Sequence, residues 1–409
     1  MSELKVTCDP AEVGLDADRL RRIDAHFAPY VDDGRLPGWL ALVSRRGEIA
    51  HLSAYGSRDV ASGSPIETDT LFRIYSMSKP ITSVAVMMLY EEGLLELTDP
   101  VSRFIPSFGD MRVYDKGMAA SPVTRPAAEP VRVWHLLTHT SGMTYGFQRV
   151  TVVDAIYRRA GFERGAPAGM SLAEVVDRWA ELPLLFEPGT RWNYSVATDV
   201  LGRLVEVVSG RPLDEFLQEQ IFGPLGMSDT GFSIDATQAD RMASLYSADR
   251  EGKAVLTDMR DAALRRPSML SGGGGLISSA HDYHRFTQML LRGGELDGVR
   301  LLGSRTLAYM TRNHLPGGAD LEDFGPPAFA EAPYTGIGFG LGFAMVQDAA
   351  KNRSLSSEGE YSWGGAASTV FWVDPAEELT VVFLTQLLPS STHPIRSRLR
   401  QLVYQALID

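Results

Sequence analysis

Apolar residues near the start of the chain recur first with helical spacing and then with the spacing of strands. In the segment DADRLRRIDAHF, the residues Leu20, Ile23 and Phe27 fall on one helical face, and Asp16 stands where a helix cap is expected. The segment GWLALVSRRGEIAHLSAYG that follows predicts two strands joined by a turn at Arg45–Glu48. The N-terminal segment therefore predicts a helix followed by a β-hairpin.

The C-terminal segment contains the same elements in reverse order. The stretch STVFWVDPAEELTVVFLTQ predicts a hairpin with its turn at Asp374-Pro375, and PIRSRLRQLVYQALI predicts a closing amphipathic helix. Because strands stand at both chain ends with helical patterns between them, we expect an α+β fold with one antiparallel sheet built from both termini. We predict a sheet-containing lobe from residues 1–75 and 265–409, a mostly helical lobe from residues 76–264, and an active site in the cleft between them.

One predicted helix, in the segment FRIYSMSKPITSVAVMMLYEEG, contains a lysine in its first turn. A lysine is unfavourable both at a helix N-terminus and in a buried core. The segment is apolar on every side from Ile81 to Leu89, which is typical of a helix buried in the core. We expect Ser76 to cap this helix and Lys79 to be its third residue. Burial and the partial positive charge of a helix N-terminus both disfavour a charged lysine. Residues that break folding rules in this way are typical of functional sites.

The Ser-x-x-Lys spacing carries little weight without this context. The same spacing occurs at Ser2–Lys5, where no apolar helix follows, and we interpret that copy as chance. The chain has only five lysines against thirty-four arginines, so a lysine in a buried helix is less easily explained as incidental.

A second helix is predicted in EPGTRWNYSVATDVLGRLVEVVSG, from Ser195 to Gly210, with Tyr194 immediately before it. A hydrophobic residue there would normally pack against the fourth helical residue, but that residue is Asp199. Ordinary packing and catalysis therefore both remain open for Tyr194. The glycine-rich segment SGGGGLISS (271–279) lacks the spacing of a dinucleotide-binding loop and leads into a predicted strand. Residues 113–130 and 313–336 are predicted surface loops.

Composition narrows the classes of function. The chain has 409 residues, 44% of them hydrophobic and 22% charged, which is ordinary for a globular protein. A net charge of −12 without a basic cluster argues against nucleic-acid partners and anionic membranes. One cysteine, Cys8, excludes an intramolecular disulfide and favours a reducing compartment. With no signal-peptide core and no apolar run of membrane-spanning length, we expect a cytoplasmic protein.

Several familiar sites are missing from the sequence. It contains no Gly-x-Ser-x-Gly nucleophile elbow and no phosphate-binding Gly-x-x-x-x-Gly-Lys. Two pairs of histidines lie close together in the sequence, His135/His139 and His281/His284, but no third metal ligand is evident near either pair. We therefore expect no metal and no other cofactor. We expect His139 to form hydrogen bonds around its own Thr/Ser-rich turn. A serine hydrolase whose base is not histidine remains, with Ser76 next to a neutral lysine one helical turn away.

In their order along the chain, these features resemble the family VIII carboxylesterases, relatives of class C β-lactamases and DD-peptidases. Ser76-x-x-Lys79 opens a buried helix, Tyr194-Ser195 precedes a second one, and Trp363-Gly364-Gly365 stands on a late strand. The segments HLLTHTSG (135–142), PGTRWNYS (188–195), FGPLGMSDTGF (222–232) and GGGGLISSAHD (272–282) are similar to family sequences as well. The resemblance runs from about residue 12 to the end of the chain, and it implies a β-lactamase/transpeptidase-like fold.

The resemblance also implies a role for each matching position. Ser76 would be the nucleophile, and Lys79 with Tyr194 the general base pair, Tyr194 protonating the leaving alkoxide. The oxyanion hole would consist of the backbone N–H groups of Ser76 and Ala366. The implied substrate-binding residues are Trp363, Gly364 and Gly365.

Two departures from the superfamily pattern bear on the substrate. β-Lactamases and peptidases have Tyr-x-Asn where this chain has Tyr194-Ser195-Val196, and Lys-Thr-Gly where it has Trp363-Gly364-Gly365. The lysine would anchor a substrate carboxylate and the asparagine a side-chain amide, so both losses favour neutral esters.

We therefore expect an esterase for small-molecule, short-chain acyl esters, with weak activity on cephalosporins as an option. A class C-like β-lactamase, an acyltransferase and an amidase are the alternatives within the superfamily. A catalytically inactive binding module would have lost Ser76, Lys79 or Tyr194, and all three are present.

Overall fold

The computed structural model describes residues 4–163, 165–257, 260–325 and 334–408. Its strands are β1 (Gly38–Arg45), β2 (Glu48–Asp59), β3 (Ser64–Pro65), β4 (Leu71–Arg73), β5 (Arg112–Met118), β6 (Ser121–Pro126), β7 (Leu245–Ala248), β8 (Ala254–Thr257), β9 (Ile277–Ser279), β10 (Glu295–Leu296), β11 (Val299–Arg300), β12 (Ile337–Phe339), β13 (Ala344–Val346), β14 (Tyr361–Gly364), β15 (Val370–Asp374), β16 (Leu379–Thr385) and β17 (Leu387–Leu388). Its α-helices are α1 (Ala17–Asp32), α2 (Ser78–Glu91), α3 (Val133–Leu137), α4 (Val152–Arg159), α5 (Leu172–Ala180), α6 (Ala197–Ser209), α7 (Leu213–Leu217), α8 (Gly223–Leu225), α9 (Ala280–Leu291), α10 (Ser304–Met310), α11 (Leu321–Phe324), α12 (Ala349–Asn352) and α13 (Ile395–Tyr404).

The main sheet is antiparallel and is built from both ends of the chain, which confirms the predicted α+β fold. Its eight strands have the order β12-β13-β14-β15-β16-β1-β2-β3. β1 pairs with β16, so that Leu42 faces Val382 where the two ends of the chain meet. Phe27 of α1 and Leu399 of α13 belong to one buried cluster with residues of this sheet, so the two terminal helices pack against it.

The local signals at the N-terminus are confirmed in detail. The carboxylate of Asp16 accepts a hydrogen bond from the N–H of Arg19 at 2.9 Å and so caps α1. The β1–β2 turn places Arg46 and Gly47 at φ values of 54° and 86°. Two successive positive φ angles match the twist of a tight hairpin, and glycine adopts them without strain.

Helix α2 runs through a second buried cluster, and all its residues from Ser78 to Met87 are buried. The glycine-rich segment passes between α2 and α6. A Cβ atom at Gly272 would lie 3.0 Å from the carbonyl oxygen of Thr198 and 3.1 Å from the side chain of Thr82. Glycine is therefore needed for this close approach, and the segment then enters β9 as predicted.

One loop prediction is wrong. Within residues 113–130, β5 and β6 form a hairpin in which Val113 pairs with Arg125. Most side chains of this hairpin are exposed, so its sequence has no alternation of buried and exposed residues that would reveal the strands. The predicted loop 313–336 contains α11, and residues 326–333 lie outside the described ranges, as does Ser2 of the Ser2–Lys5 copy.

The division into two lobes stays a prediction. Strand pairing crosses the predicted boundary, because β7 belongs to the predicted helical lobe and pairs in parallel with β17, which belongs to the predicted sheet-containing lobe. No helix in the described ranges has the length and apolarity needed to cross a membrane.

Candidate active site

Ser76 lies in a strained turn immediately before α2. Tyr75, Ser76 and Met77 form a 3-10 turn, and Tyr75 has a φ of +45°, which bulky residues rarely adopt. The prediction that Ser76 caps the buried helix is wrong, since α2 begins at Ser78 and Met77 holds the cap position without a side-chain hydrogen bond. The Ser76 hydroxyl instead faces polar side chains. Backbone strain of this kind is found where a functional group must be held in place.

Lys79 brings an amine to this serine from a buried position. The residue is 2% exposed and is the second residue of α2. Its Nζ atom donates to the carbonyl oxygen of Gly273 at 2.6 Å, to the hydroxyl of Tyr145 at 3.1 Å and to Oγ of Ser76 at 3.3 Å. All three hydrogen-bonding positions of the amine are thus directed into the site.

Tyr194 is the third predicted residue, and the fold brings it to the other two. Its hydroxyl oxygen lies 2.6 Å from Oγ of Ser76, and its ring centroid lies 4.6 Å from Nζ of Lys79. The tyrosine stands on the short segment before α6, which begins at Ala197, later than the predicted start at Ser195. The predicted end at Gly210 is confirmed, with that glycine at a φ of +71°.

The sequence pattern did not single out Tyr145, which lies in the same cluster. Its hydroxyl contacts Nζ of Lys79, and its ring centroid is 5.4 Å from that of Tyr194. Burial, together with the charges of Asp199 and Tyr194, raises the pKa of Tyr145 well above its ordinary value. Tyr145 therefore stays a neutral phenol. The only sequence signal was its place just after the HTSG turn, which says nothing about the direction of its side chain.

A buried carboxylate is linked to Lys79 through Gly273. Oδ1 of Asp199 accepts from the N–H of Gly273 at 3.0 Å and from the hydroxyl of Ser271 at 2.5 Å. A Cβ atom at Gly273 would lie 2.6 Å from Oδ2 of Asp199, so glycine is required there. Burial raises the pKa of Asp199, while the charge of Lys79 and these hydrogen bonds oppose the rise. The glycine-rich segment thus serves the site by joining a carboxylate to the lysine.

His139 supports Tyr194. Its Nδ1 atom lies 3.3 Å from Oγ of Ser195, and its ring centroid lies 5.0 Å from that of Tyr194. The hydrogen-bond partner therefore lies outside the Thr/Ser-rich turn where it was expected, because the fold places the Tyr194 segment against that turn. Burial and the charge of Lys79 lower the pKa of His139 well below its ordinary value, so the ring is neutral.

Two of the other predicted histidines have structural partners, whereas Nδ1 of His284 is buried with no hydrogen-bond partner among the described residues. Nδ1 of His135 accepts from the N–H of Arg132 at 3.0 Å, and His281 faces Asp282 at 3.1 Å. Burial lowers the pKa of His284 to about 3. In the part of the chain that the structure describes, no group of three or more His, Cys, Asp or Glu side chains could hold a metal ion.

Trp363, on strand β14, forms an apolar wall beside Tyr194. Its ring centroid lies 5.4 Å from that of Tyr194 and 5.4 Å from that of Phe339. The indole is half-buried, and its Nε1 atom has no hydrogen-bond partner among the described residues. An uncharged, partly accessible aromatic face therefore borders the candidate base.

The turn after β14 is pressed against the segment that carries Ser76. A Cβ atom at Gly365 would lie 2.4 Å from the carbonyl oxygen of Ile74, so only glycine fits. The next residue, Ala366, is exposed. Within the described ranges, the backbone N–H groups of Ser76 and Ala366 donate to no backbone carbonyl. Uncommitted N–H groups on neighbouring segments are what an oxyanion hole requires.

Known proteins are similar to this chain over most of its length. A family model described as Beta-lactamase matches residues 23–405. Protein Rv1367c of Mycobacterium tuberculosis is 37% identical over 369 residues, covering 89% of each chain. Esterase EstB of Burkholderia gladioli is 34% identical over an alignment of 422 residues, covering 97% of this chain and 98% of its own. The structure of EstCE1, a hydrolase with promiscuous acyltransferase activity, superposes with a TM-score of 0.80 at 28% identity, covering 97% of this chain and 99% of its own.

Proposed function

This chain belongs to the Beta-lactamase family, and we propose that it is a serine carboxylesterase that hydrolyses short-chain acyl esters through an acyl-serine intermediate. Its similarity to the esterase EstB and to the hydrolase EstCE1 supports ester hydrolysis. The observation that carries the proposal is the cluster at Ser76, whose Oγ lies 2.6 Å from the hydroxyl of Tyr194 and 3.3 Å from Nζ of Lys79.

Acylation begins at this serine. Oγ of Ser76 attacks the ester carbonyl while its proton passes to the pair formed by Tyr194 and Lys79, which starts this step with one proton fewer than a phenol and an ammonium carry together. The negative charge that develops on the carbonyl oxygen is stabilised by the N–H groups of Ser76 and Ala366. When the tetrahedral intermediate collapses, the bond to the alkoxide breaks and Tyr194 returns the proton to the leaving oxygen.

Deacylation uses the same groups with water as the nucleophile. The pair of Lys79 and Tyr194 takes a proton from the water as it attacks the acyl carbonyl. The bond to Ser76 then breaks, the serine regains its proton, and the carboxylic acid leaves. Tyr145 does not take the proton in either half-reaction, because its raised pKa keeps it a neutral phenol. Its contact with Nζ of Lys79 instead orients the amine.

The wall beside the base favours neutral substrates. Trp363 presents an indole to the site, and an indole offers one neutral donor and a wide apolar face. The carboxylate of a β-lactam antibiotic would find no positive charge at that position, whereas a simple ester has no such carboxylate. Hydrolysis of β-lactams is therefore a side activity in this proposal.

Acyl transfer is a second candidate. The acyl-serine can be attacked by an alcohol in place of water, and the same proton path would serve. The likeness to EstCE1, a hydrolase with promiscuous acyltransferase activity, favours this reaction as a minor route. The balance depends on how well an alcohol binds against the apolar face of Trp363.

A panel of p-nitrophenyl esters of increasing acyl length, measured beside a chromogenic cephalosporin and with an added alcohol, tests the proposal. We expect fast hydrolysis of acetate and butyrate, slower hydrolysis of long chains, and no hydrolysis by Ser76→Ala. A wild-type protein that leaves every ester intact, or a Ser76→Ala variant with full activity, would refute it.

A further inference from the structure

Arg396, the second residue of α13, contacts the backbone at the end of β14. Its guanidinium donates to the carbonyl oxygen of Gly365 at 3.0 Å and to that of Thr369 at 3.4 Å. A Cβ atom at Gly364 would lie 2.4 Å from Cζ of Arg396, so glycine at this position leaves room for the guanidinium. A charged donor from the C-terminal helix is thus held against the turn next to Ser76.

The carbonyl that Arg396 contacts belongs to a particular peptide unit. The carbonyl oxygen of Gly365 and the N–H of Ala366 are parts of one planar trans group, in which they point in opposite directions. A charged donor on the oxygen fixes the plane of this group and draws electron density away from its N–H. The N–H of Ala366 therefore becomes a stronger and better oriented hydrogen-bond donor.

The turn does not need Arg396 merely to close. The N–H of Gly365 already donates to the carbonyl of Thr369 at 2.9 Å, and the hydroxyl of Ser368 donates to the carbonyl of Leu387 at 2.7 Å. The contact with the carbonyl of Gly365 adds a charge to a turn that is already hydrogen-bonded.

We propose that Arg396 is a positioning residue that orients and polarises the Gly365–Ala366 peptide, so that the N–H of Ala366 stabilises the oxyanion. This inference rests on the function proposed above, in which Ala366 supplies one of the two oxyanion donors. Lysine would not replace the arginine fully, because both contacts come from Nη2 of a rigid, planar guanidinium, whereas an ammonium is a point charge on a flexible stem.

The test compares Arg396→Met with Arg398→Met. Arg398 lies on the same helix, is exposed, and bonds only within the helix to Gln401 among the described residues. We expect Arg396→Met to lower kcat for an aryl acetate by roughly tenfold to a hundredfold with little change in KM, since removal of a whole oxyanion donor costs somewhat more. Arg398→Met should keep the wild-type kcat.

A transition-state analogue separates positioning from general support of the fold. A trifluoromethyl ketone forms a tetrahedral adduct with the serine, and its inhibition constant should rise by the same factor by which kcat/KM falls. Guanidinium ion at a non-denaturing concentration should restore part of the activity of Arg396→Ala, and sodium ion should not. If Arg396→Met does not fold, Arg396→Gln serves in its place, because its shorter, uncharged side chain brings no charge to the carbonyl of Gly365 and should also lower kcat.

The outcomes distinguish this inference from the proposed function. If the wild type hydrolyses esters and a folded Arg396→Met or Arg396→Gln variant keeps kcat within about twofold, a difference too small for a lost oxyanion contact, the role of Arg396 is refuted while the esterase stands. If the wild type neither hydrolyses esters nor reacts with the ketone at Ser76, both the proposed esterase function and the role of Arg396 are refuted.

Discussion

The hydroxyl oxygens of Tyr194 and Ser76 lie 2.6 Å apart, although 118 positions separate the two residues in the sequence. This separation is at the short end for a hydrogen bond between two hydroxyls. It arises because α2 and α6 pack against the same glycine-rich segment, which brings the beginnings of both helices together. A proton can therefore pass directly between the two groups.

The first prediction concerns the identity of the nucleophile. A fluorophosphonate probe should label Ser76, because this hydroxyl has the amine of Lys79 and the phenol of Tyr194 within hydrogen-bonding reach. Mass spectrometry of the digested protein should find the label on the peptide that contains Ser76, and Ser76→Ala should take up none. A label on any other serine would contradict the assignment.

The second prediction is that Lys79 and Tyr194 act as one unit. Lys79→Ala and Tyr194→Phe should each lower kcat by roughly a thousandfold, and the double variant should be about as slow as the worse single one, because both changes break one proton path. Lys116→Ala, at an exposed position, is the control and should keep full activity. Losses that multiply in the double variant would show two independent roles.

The third prediction assigns Tyr145 to orientation of the lysine. Tyr145→Phe removes the hydroxyl 3.1 Å from Nζ of Lys79 and should lower kcat by about tenfold, at the upper end of what a single lost hydrogen bond costs. The pH profile of kcat/KM should keep its shape, since the raised pKa of Tyr145 keeps it protonated in the working range. Loss of the alkaline or acid limb in Tyr145→Phe would instead make Tyr145 a proton carrier.

Sequence patterns could predict the elements but not every contact between them. The sheet was predictable because β1, β2, β15 and β16 alternate or run apolar between clear turns, and α2 because it is apolar all round. The hydroxyl of Tyr145 and the guanidinium of Arg396 could not be predicted, since neither residue breaks a local rule. Their roles depend on which backbone carbonyl or amine the fold brings to them. The cap predicted at Ser76 was wrong for the opposite reason. Serine is a common helix cap, but here its hydroxyl forms hydrogen bonds with Tyr194 and Lys79 instead.

The fourth prediction follows from the raised pKa of Asp199. Burial makes the native state hold this proton more tightly than the unfolded chain, whose aspartates titrate near about 3.9. Because the native state binds more protons, its stability falls as the pH rises from that value through the raised native pKa. Asp199→Asn keeps an oxygen for the N–H of Gly273 and the hydroxyl of Ser271 but has no charge to bury.

Thermal unfolding of both proteins across pH checks this prediction. The melting temperature of Asp199→Asn should rise relative to that of the wild type as the pH rises from acid to neutral. This relative gain should level off once Asp199 is ionised in the native wild-type protein. Asp235→Asn, at an exposed site where hydrogen bonds lower the pKa of Asp235, should show the opposite trend. A difference for Asp199→Asn that does not change with pH would mean that its native pKa is ordinary.

The last prediction concerns the substrate class and depends on Trp363. A penicillin carries a carboxylate beside its reactive amide, and a lysine at position 363 would bind it through a charge-assisted hydrogen bond. The indole that stands there, 5.4 Å from the ring of Tyr194, carries no charge, and its N–H is buried. An alkoxide also leaves far more readily than an amine. We therefore expect kcat/KM for short-chain aryl esters to exceed that for penicillins by at least about a hundredfold, or about 2.7 kcal/mol of transition-state binding.

Steady-state kinetics on one aryl ester, one penicillin and one cephalosporin would measure this ratio. Trp363→Lys should lower the ratio of kcat/KM for the ester to kcat/KM for the penicillin, because it should lower KM for the penicillin. Trp363→Phe keeps an apolar ring and should leave this ratio unchanged. The kcat/KM of the wild type for the cephalosporin should lie between those for the ester and the penicillin, because expulsion of a side group assists opening of the cephalosporin ring. A wild-type protein as efficient on the penicillin as on the ester would mean that another cation binds the carboxylate. Neither the lost lysine nor the indole that replaces it would then set the specificity.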